Sequence, residues 1–240
     1  MPYKLALKMK KLSLFLLVGL PMFVFGQKNA NLEVGTGLNF TDYSNKIAKT
    51  DGRLNYDFGL AMTLPMKHPN REWVLGLRFM AYGDKYASEL RWGTQHNGQG
   101  GFDPNLPSGE LANSIKSKSS YFYFELPVGI RQYLTSANTR IFVQATAGPS
   151  YFLNGRIQSS YGYNDGSSQT GTNADNAINY RTVNIIAGVG LGLEVPVNEK
   201  LQIQCLSHGQ SQLLNIASNS QTGSKWYAFG LRAGLRYRLF

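Results

Sequence analysis

The sequence predicts an all-β fold: an eight-stranded antiparallel up-and-down transmembrane β-barrel of the outer-membrane type, behind a cleaved signal peptide. Three observations carry this expectation. The last strand alternates without interruption, the chain opens on a secretory leader, and long and short connections take turns along it.

In Lys225 to Phe240 (KWYAFGLRAGLRYRLF), Tyr227, Phe229, Leu231, Ala233, Leu235, Tyr237 and Leu239 share one parity. Ala228, Gly230, Arg232, Gly234, Arg236 and Arg238 share the other. Successive side chains of a strand point to opposite faces, so one face is apolar and the other small and cationic. Lipid outside, a polar lumen inside and aromatics at both interfaces produce this pattern. Phe240 stands one step out of phase with it.

At the other end, Lys4, Lys8, Lys10 and Lys11 precede an apolar run, Leu12 to Phe25, broken by Gly19 and Pro21. Gly26 and Gln27 follow, which places a signal peptide at 1–26 and the barrel domain at 27–240. The run is short for a membrane anchor and contains a helix breaker. No Cys follows it, which excludes a lipoprotein.

Period-two patterning marks eight strands, at 31–40, 54–64, 71–82, 119–134, 139–154, 180–196, 200–207 and 225–240. Alternation weakens in the seventh after Cys205. Segments 65–70, 135–138 and 197–199 are short. Segments 41–53, 83–118, 155–179 and 208–224 are long and polar. Short periplasmic turns and longer external loops alternate in this way in outer-membrane barrels, which puts both termini in the periplasm. Pro127, Pro149 and Pro196 lack a ladder amide, so bulges or strand ends are expected there.

Composition agrees. Mean hydropathy is −0.25 and the hydrophobic fraction 42%, because alternating strands average to neutral. Charged residues make up 16%, against about 25% in soluble proteins. Net charge is +10, and removing the four leader lysines leaves +6. No Lys/Arg run occurs beyond the leader, so nucleic acid is not an expected partner. Cys205, the only cysteine, has no disulfide partner in the chain and reads as a small packing residue.

Parity also assigns the lumen. Leu32, Val34, Leu38, Tyr56, Phe58, Leu60 and Met62 face lipid, as do Trp73, Phe79, Phe124, Val128 and Leu193. The inward set collects Glu33, Asp57, Glu125 and Glu194 against Arg78, Arg131, Arg232 and Arg236. Unpaired buried charge costs several kcal/mol, so these groups are expected to pair as a structural plug. An eight-stranded barrel is just filled by side chains, which leaves no room for a wide pore.

Tyr121 to Tyr133 (YFYFELPVGIRQY) and Ile141 to Phe152 (IFVQATAGPSYF) make a hairpin. It resembles the central hairpin of the PorT-like outer-membrane barrel family of Bacteroidetes. The resemblance rests on Glu125, Leu126, Pro127, Arg131 and Tyr133, then Gly148, Pro149 and Tyr151, with AGVGLGLE (187–194) and GLRYRLF (234–240) also similar. It implies an eight-stranded barrel with an accessory role in protein export of the type IX kind.

No catalytic constellation is legible. The histidines are His68, His96 and His208, and His96 or His208 with Ser207 or Ser211 fits no known nucleophile-and-base spacing. Asp165 and Asp175 do not follow a calcium-loop pattern. The expectation is a non-enzymatic barrel without cofactor or metal. Its partners would be outer-membrane lipid and lipopolysaccharide, the outer-membrane assembly machinery, and a secretion-system or surface partner. The alternative role is adhesion through the long loops, ahead of a lipid A-modifying enzyme or a narrow channel.

Overall fold

The computed structural model describes residues 30–44, 50–89, 112–135, 138–163, 166–174, 180–216 and 224–239. The expected signal peptide at 1–26, His96, Asp165, Asp175 and Phe240 lie outside the described residues. Eleven strands form one sheet: β1 (Asn31–Tyr43), β2 (Thr50–Pro65), β3 (Arg71–Tyr82), β4 (Asp84–Glu89), β5 (Ala112–Glu125) and β6 (Val128–Tyr133), then β7 (Arg140–Tyr163), β8 (Ser168–Ala174), β9 (Val183–Pro196), β10 (Leu201–Gln212) and β11 (Trp226–Arg238). Every pairing is antiparallel. The ring closes where β1 runs against β11, from Asn31 opposite Arg238 to Tyr43 opposite Trp226. Closure leaves no unpaired edge around the cylinder.

The count is eleven, not the expected eight, for two local reasons. Two staves of the barrel are each broken in two, and β8 is an addition that pairs only with β7. Removing those three gives eight staves. The β3/β4 break falls at Gly83, whose N–H donates to Thr41 Oγ1 at 3.0 Å while its carbonyl accepts from the same hydroxyl at 2.9 Å. Register against β2 slips by one residue across it, from Asp57 opposite Met80 to Asp51 opposite Lys85.

The β5/β6 break falls at Leu126–Pro127, and its cause is two missing amides. Pro127 has no N–H, and Pro149 accepts from the Leu126 N–H at 3.0 Å but has none to return. Register against β3 is nonetheless continuous, with Arg78 opposite Glu125 and Leu75 opposite Val128. Pro149 itself sits inside the unbroken β7, without the expected bulge. The register shift on that strand comes instead between the Phe122–Asn154 and Tyr123–Phe152 pairs. Pro196 ends β9.

Strands also run further than the alternation indicates, always toward the long connections. β7 reaches Tyr163, β5 begins at Ala112, β4 adds Asp84–Glu89 and β10 continues to Gln212. Residues 84–89, 112–118, 155–163 and 168–174 of the segments expected as connections are therefore strand, and only residues 44–49 separate β1 from β2. The result is a tall wall of β4, β5, β7 and β8 that stands above the rest of the rim. At the opposite end the turns are tight: the Asn198 carboxamide oxygen accepts from the Lys200 and Leu201 N–H groups at 2.9 and 2.8 Å.

The outer face is apolar and bare. Leu38 and Val189 are 64% and 68% exposed, and Leu32, Phe58, Trp73, Phe79, Leu193, Phe229 and Leu231 are exposed beside them. From Tyr227 to Tyr237 the outward side chains of β11 span about 25 Å along the barrel axis, at about 3.3 Å per residue and about 40° of tilt. Met62 departs from its expected exposure. It has outward parity but is buried in a cluster with Ala30 and Leu64, against which Leu75 and Leu239 pack. Cys205 also differs from expectation, lying exposed on the outer face rather than packed.

Candidate functional site

The inner face of the ring carries the chemistry. Among the described residues, Glu33, Asp57, Glu72, Glu125 and Glu194 pair with Arg78, Arg131, Arg140, Arg232 and Arg236. The charges balance, in two layers stacked along the barrel axis.

The layer nearest the short turns is built around Arg236 of β11. Its guanidinium donates to Glu72 at 2.5 Å, to Glu194 at 3.0 Å and to the Tyr133 hydroxyl, and lies 3.6 Å from Glu33. Arg131 of β6 grips both Glu33 oxygens, at 2.6 and 2.9 Å, and donates to Gln144 at 2.9 Å. Arg140 pairs with Glu194. The guanidiniums also stack on rings: Arg131 lies 4.2 Å from the Phe142 centroid and Arg140 4.3 Å from that of Tyr133. Planar, weakly hydrated guanidinium suits such a crowded site, since it bonds in its plane and stacks on its faces.

The second layer holds two pairs. Arg232 donates to Asp57 Oδ1 through Nε at 2.8 Å and Nη2 at 2.5 Å, while Asn39 donates to Asp57 Oδ2 at 2.6 Å. Arg78 donates to Glu125 Oε2 at 2.8 and 2.5 Å and also to Gln210. The Tyr82 hydroxyl donates to Glu125 Oε1 at 2.9 Å and accepts from Gln210. Glycines make room for these side chains: a Cβ on Gly35 would sit 3.2 Å from Arg232 Cδ, and one on Gly37 would meet Asp57 Oδ2 at 2.5 Å. A cavity of about 70 Å³ remains between the layers, lined in part by Gly35, Gly76, Gly190, Gln204 and His208.

Above the charges, the lumen is capped by rings. Trp226 is 2% exposed and meets Tyr43, Tyr82 and Tyr121 at centroid distances of 5.3, 5.8 and 5.3 Å. Met80, Tyr123, Ile216 and Ala228 complete the buried cluster, with Phe152 and Tyr180 packed against it.

All eight side chains assigned to the lumen by parity lie on the inner face, and each belongs to an ion pair. Glu72 and Arg140 belong to the same network although the sequence reading did not single them out. Their signal was present: each falls on the opposite parity from an outward neighbour, Trp73 and Ile141.

A Ser–His pair does not form from His208. On β10, His208 is buried in the lumen with no hydrogen-bond partner on either nitrogen, whereas Ser207 is exposed on the other face. Ser211 shares the outward parity and bonds to the backbone oxygens of Gln212 and Trp226. His68 is exposed in the turn between β2 and β3. Among the described residues no group of three or more His, Cys, Asp or Glu side chains has the geometry to hold a metal ion.

No protein-family model matches the sequence, and a search of curated proteins returns no match. Solved structures do overlay. Neisserial surface protein A is 9% identical with a TM-score of 0.43, covering 88% of this chain and 97% of its own. Ail, the attachment invasion locus protein of Yersinia pestis, is 11% identical at a TM-score of 0.39, covering 88% and 99%. The outer membrane protease OmpT of Escherichia coli is 11% identical at 0.45, covering 89% and 98%. At these identities and TM-scores the similarity assigns no activity.

Proposed function

We propose that the protein is a non-enzymatic outer-membrane β-barrel, plugged along its axis, that anchors a tall surface wall for binding a partner. One observation carries the reading: a closed ring whose exposed outer face is apolar while its inner face is packed with paired charge. In water that arrangement is inside out, since a soluble fold buries its apolar face. In a bilayer it is the stable one, because lipid covers the belt and closure of the ring pairs each stave with a neighbour on both sides. The short turns and both termini lie in the periplasm, with the tall wall outside.

The plug rules the role. Two ionic layers and an aromatic cap fill the cylinder, so the lumen is a source of rigidity and not a conduit. What the barrel offers a partner is the wall, whose strands β4 and β5 are joined in sequence by residues 90–111. The test is deletion of 90–111 in the full chain. Surface adhesion should be lost while the heat-modifiable gel shift of the folded barrel is kept. Intact adhesion combined with lost cargo secretion in a gene deletion would instead favour the export role that the PorT-like resemblance implies.

A further inference from the structure

The tall wall has a cationic outer face. Lys85 of β4 lies directly opposite Lys118 of β5, with Lys116 two residues along. Arg156 of β7 lies opposite Ser120, diagonal to Lys118. All four are exposed, on the same outward parity as Phe122 and Phe124, and none makes an ion pair with a described residue. Like charges directly opposite one another on a sheet are destabilising, so this arrangement costs the fold something in isolation. Asp51 of β2 lies directly opposite Lys85 on its other side and Glu89 is diagonal to Lys116, so four cations stand against two carboxylates and the group is net cationic.

Position along the strand gives the patch its partner. Lys118 is four residues beyond Phe122, about 13 Å of strand or about 10 Å along the barrel axis. Below it lie the apolar side chains that face acyl chains, with Phe79 and Phe124 in edge-to-face contact at 5.3 Å. Beside it on β7, Gln158 and Ser160 present neutral hydrogen-bonding groups opposite Lys118 and Lys116. From bottom to top the wall therefore offers an apolar surface and then a cluster of cations with amide and hydroxyl groups beside it. Across the barrel the strands stop lower, at Val183, Gln212 and Trp226, where Arg181 and Lys225 stand singly and not as a cluster.

We infer that this face, resting on the membrane placement proposed above, is a binding site for a phosphorylated glycolipid headgroup of the surrounding leaflet. Lys85, Lys116, Lys118 and Arg156 hold its phosphates, Gln158 and Ser160 meet its sugar, and Phe79 and Phe124 pack against its chains. Each cation at such a membrane surface contributes enough to make the cluster selective for anionic lipid, and salt weakens the attraction.

The test uses the full chain in phosphatidylcholine nanodiscs doped with bisphosphorylated lipid A, with retained glycolipid counted by mass spectrometry. The wild type should retain lipid A about tenfold better than K85Q/K118Q/R156Q, and about tenfold better than it retains dephosphorylated lipid A. K200Q/R238Q, which removes exposed cations at the short-turn end, should match the wild type. Equal retention by the wild type and the triple variant overturns the site. Full competition by soluble heparin or pyrophosphate also overturns it, because the wall would then read polyanions and not lipid. Failure to enter nanodiscs at all is a different result, and it overturns the membrane placement beneath this inference.

Discussion

The lumen is filled in two ways. Toward the short turns it is ionic, with Arg131 and Arg236 tying Glu33, Glu72 and Glu194 together across five strands. Toward the long connections it is aromatic, with Trp226 wedged among Tyr43, Tyr82 and Tyr121. The same cylinder thus holds a network whose members depend on one another and a stack whose members contribute mainly area. Removing one partner from a buried ion pair strands the other, at about 3–5 kcal/mol. Truncating an aromatic loses its area and leaves a cavity. The two ends should fail differently.

The largest effect belongs to the ionic end. Arg131→Glu sets a third carboxylate against Glu33 and Glu194, so stability should fall by at least about 5 kcal/mol, which would show as a lost heat-modifiable gel shift. An unchanged shift would break the comparison. Next comes Trp226→Ala, expected to cost about 3–5 kcal/mol in urea unfolding from vesicles, with a folded band still present at low denaturant. On the outer wall, Leu231→Arg places a charge near the middle of the belt and should cost about 2–4 kcal/mol. Smallest is Tyr82→Phe at the junction of the two regions, where Glu125 loses one donor and retains Arg78. The expected cost is about 1–2 kcal/mol in the same unfolding assay.

The ionic end was the more legible of the two in the sequence. A strand buried on one side has period two, so Arg232 and Arg236 on β11 and Glu125 and Arg131 on β5 and β6 declare their face by parity alone. The partnerships are another matter. Arg236 meets Glu72, and Arg232 meets Asp57, through relations across the ring that no local pattern encodes. The aromatic cap is less legible because Tyr121 and Trp226 are followed by Phe122 and Tyr227 on the outward parity, so rings occupy both faces there.

The tall wall was the least legible, for a physical reason. Once a strand rises above the apolar belt both of its faces are wet, so alternation disappears from Ser114 to Ser120 and from Gly155 to Ser160 and the segments read as polar loop. The eleven-strand count has a separate cause: Gly83 and the Pro127–Pro149 pair break two staves in two, and β8 adds to the rim. A ladder break does not alter which side chains face inward.

Membrane placement of the barrel requires that its outer face be the one that meets lipid. Cys205 gives direct access to that face, because it is exposed on β10 between Ala233 of β11 and Leu193 of β9, well inside the belt. The denatured full chain can be labelled there with bimane and refolded into vesicles. Blue-shifted emission, quenched by brominated acyl chains and untouched by aqueous iodide, is the predicted result. Emission quenched by iodide from a folded monomer that stays in solution without detergent or lipid would contradict it.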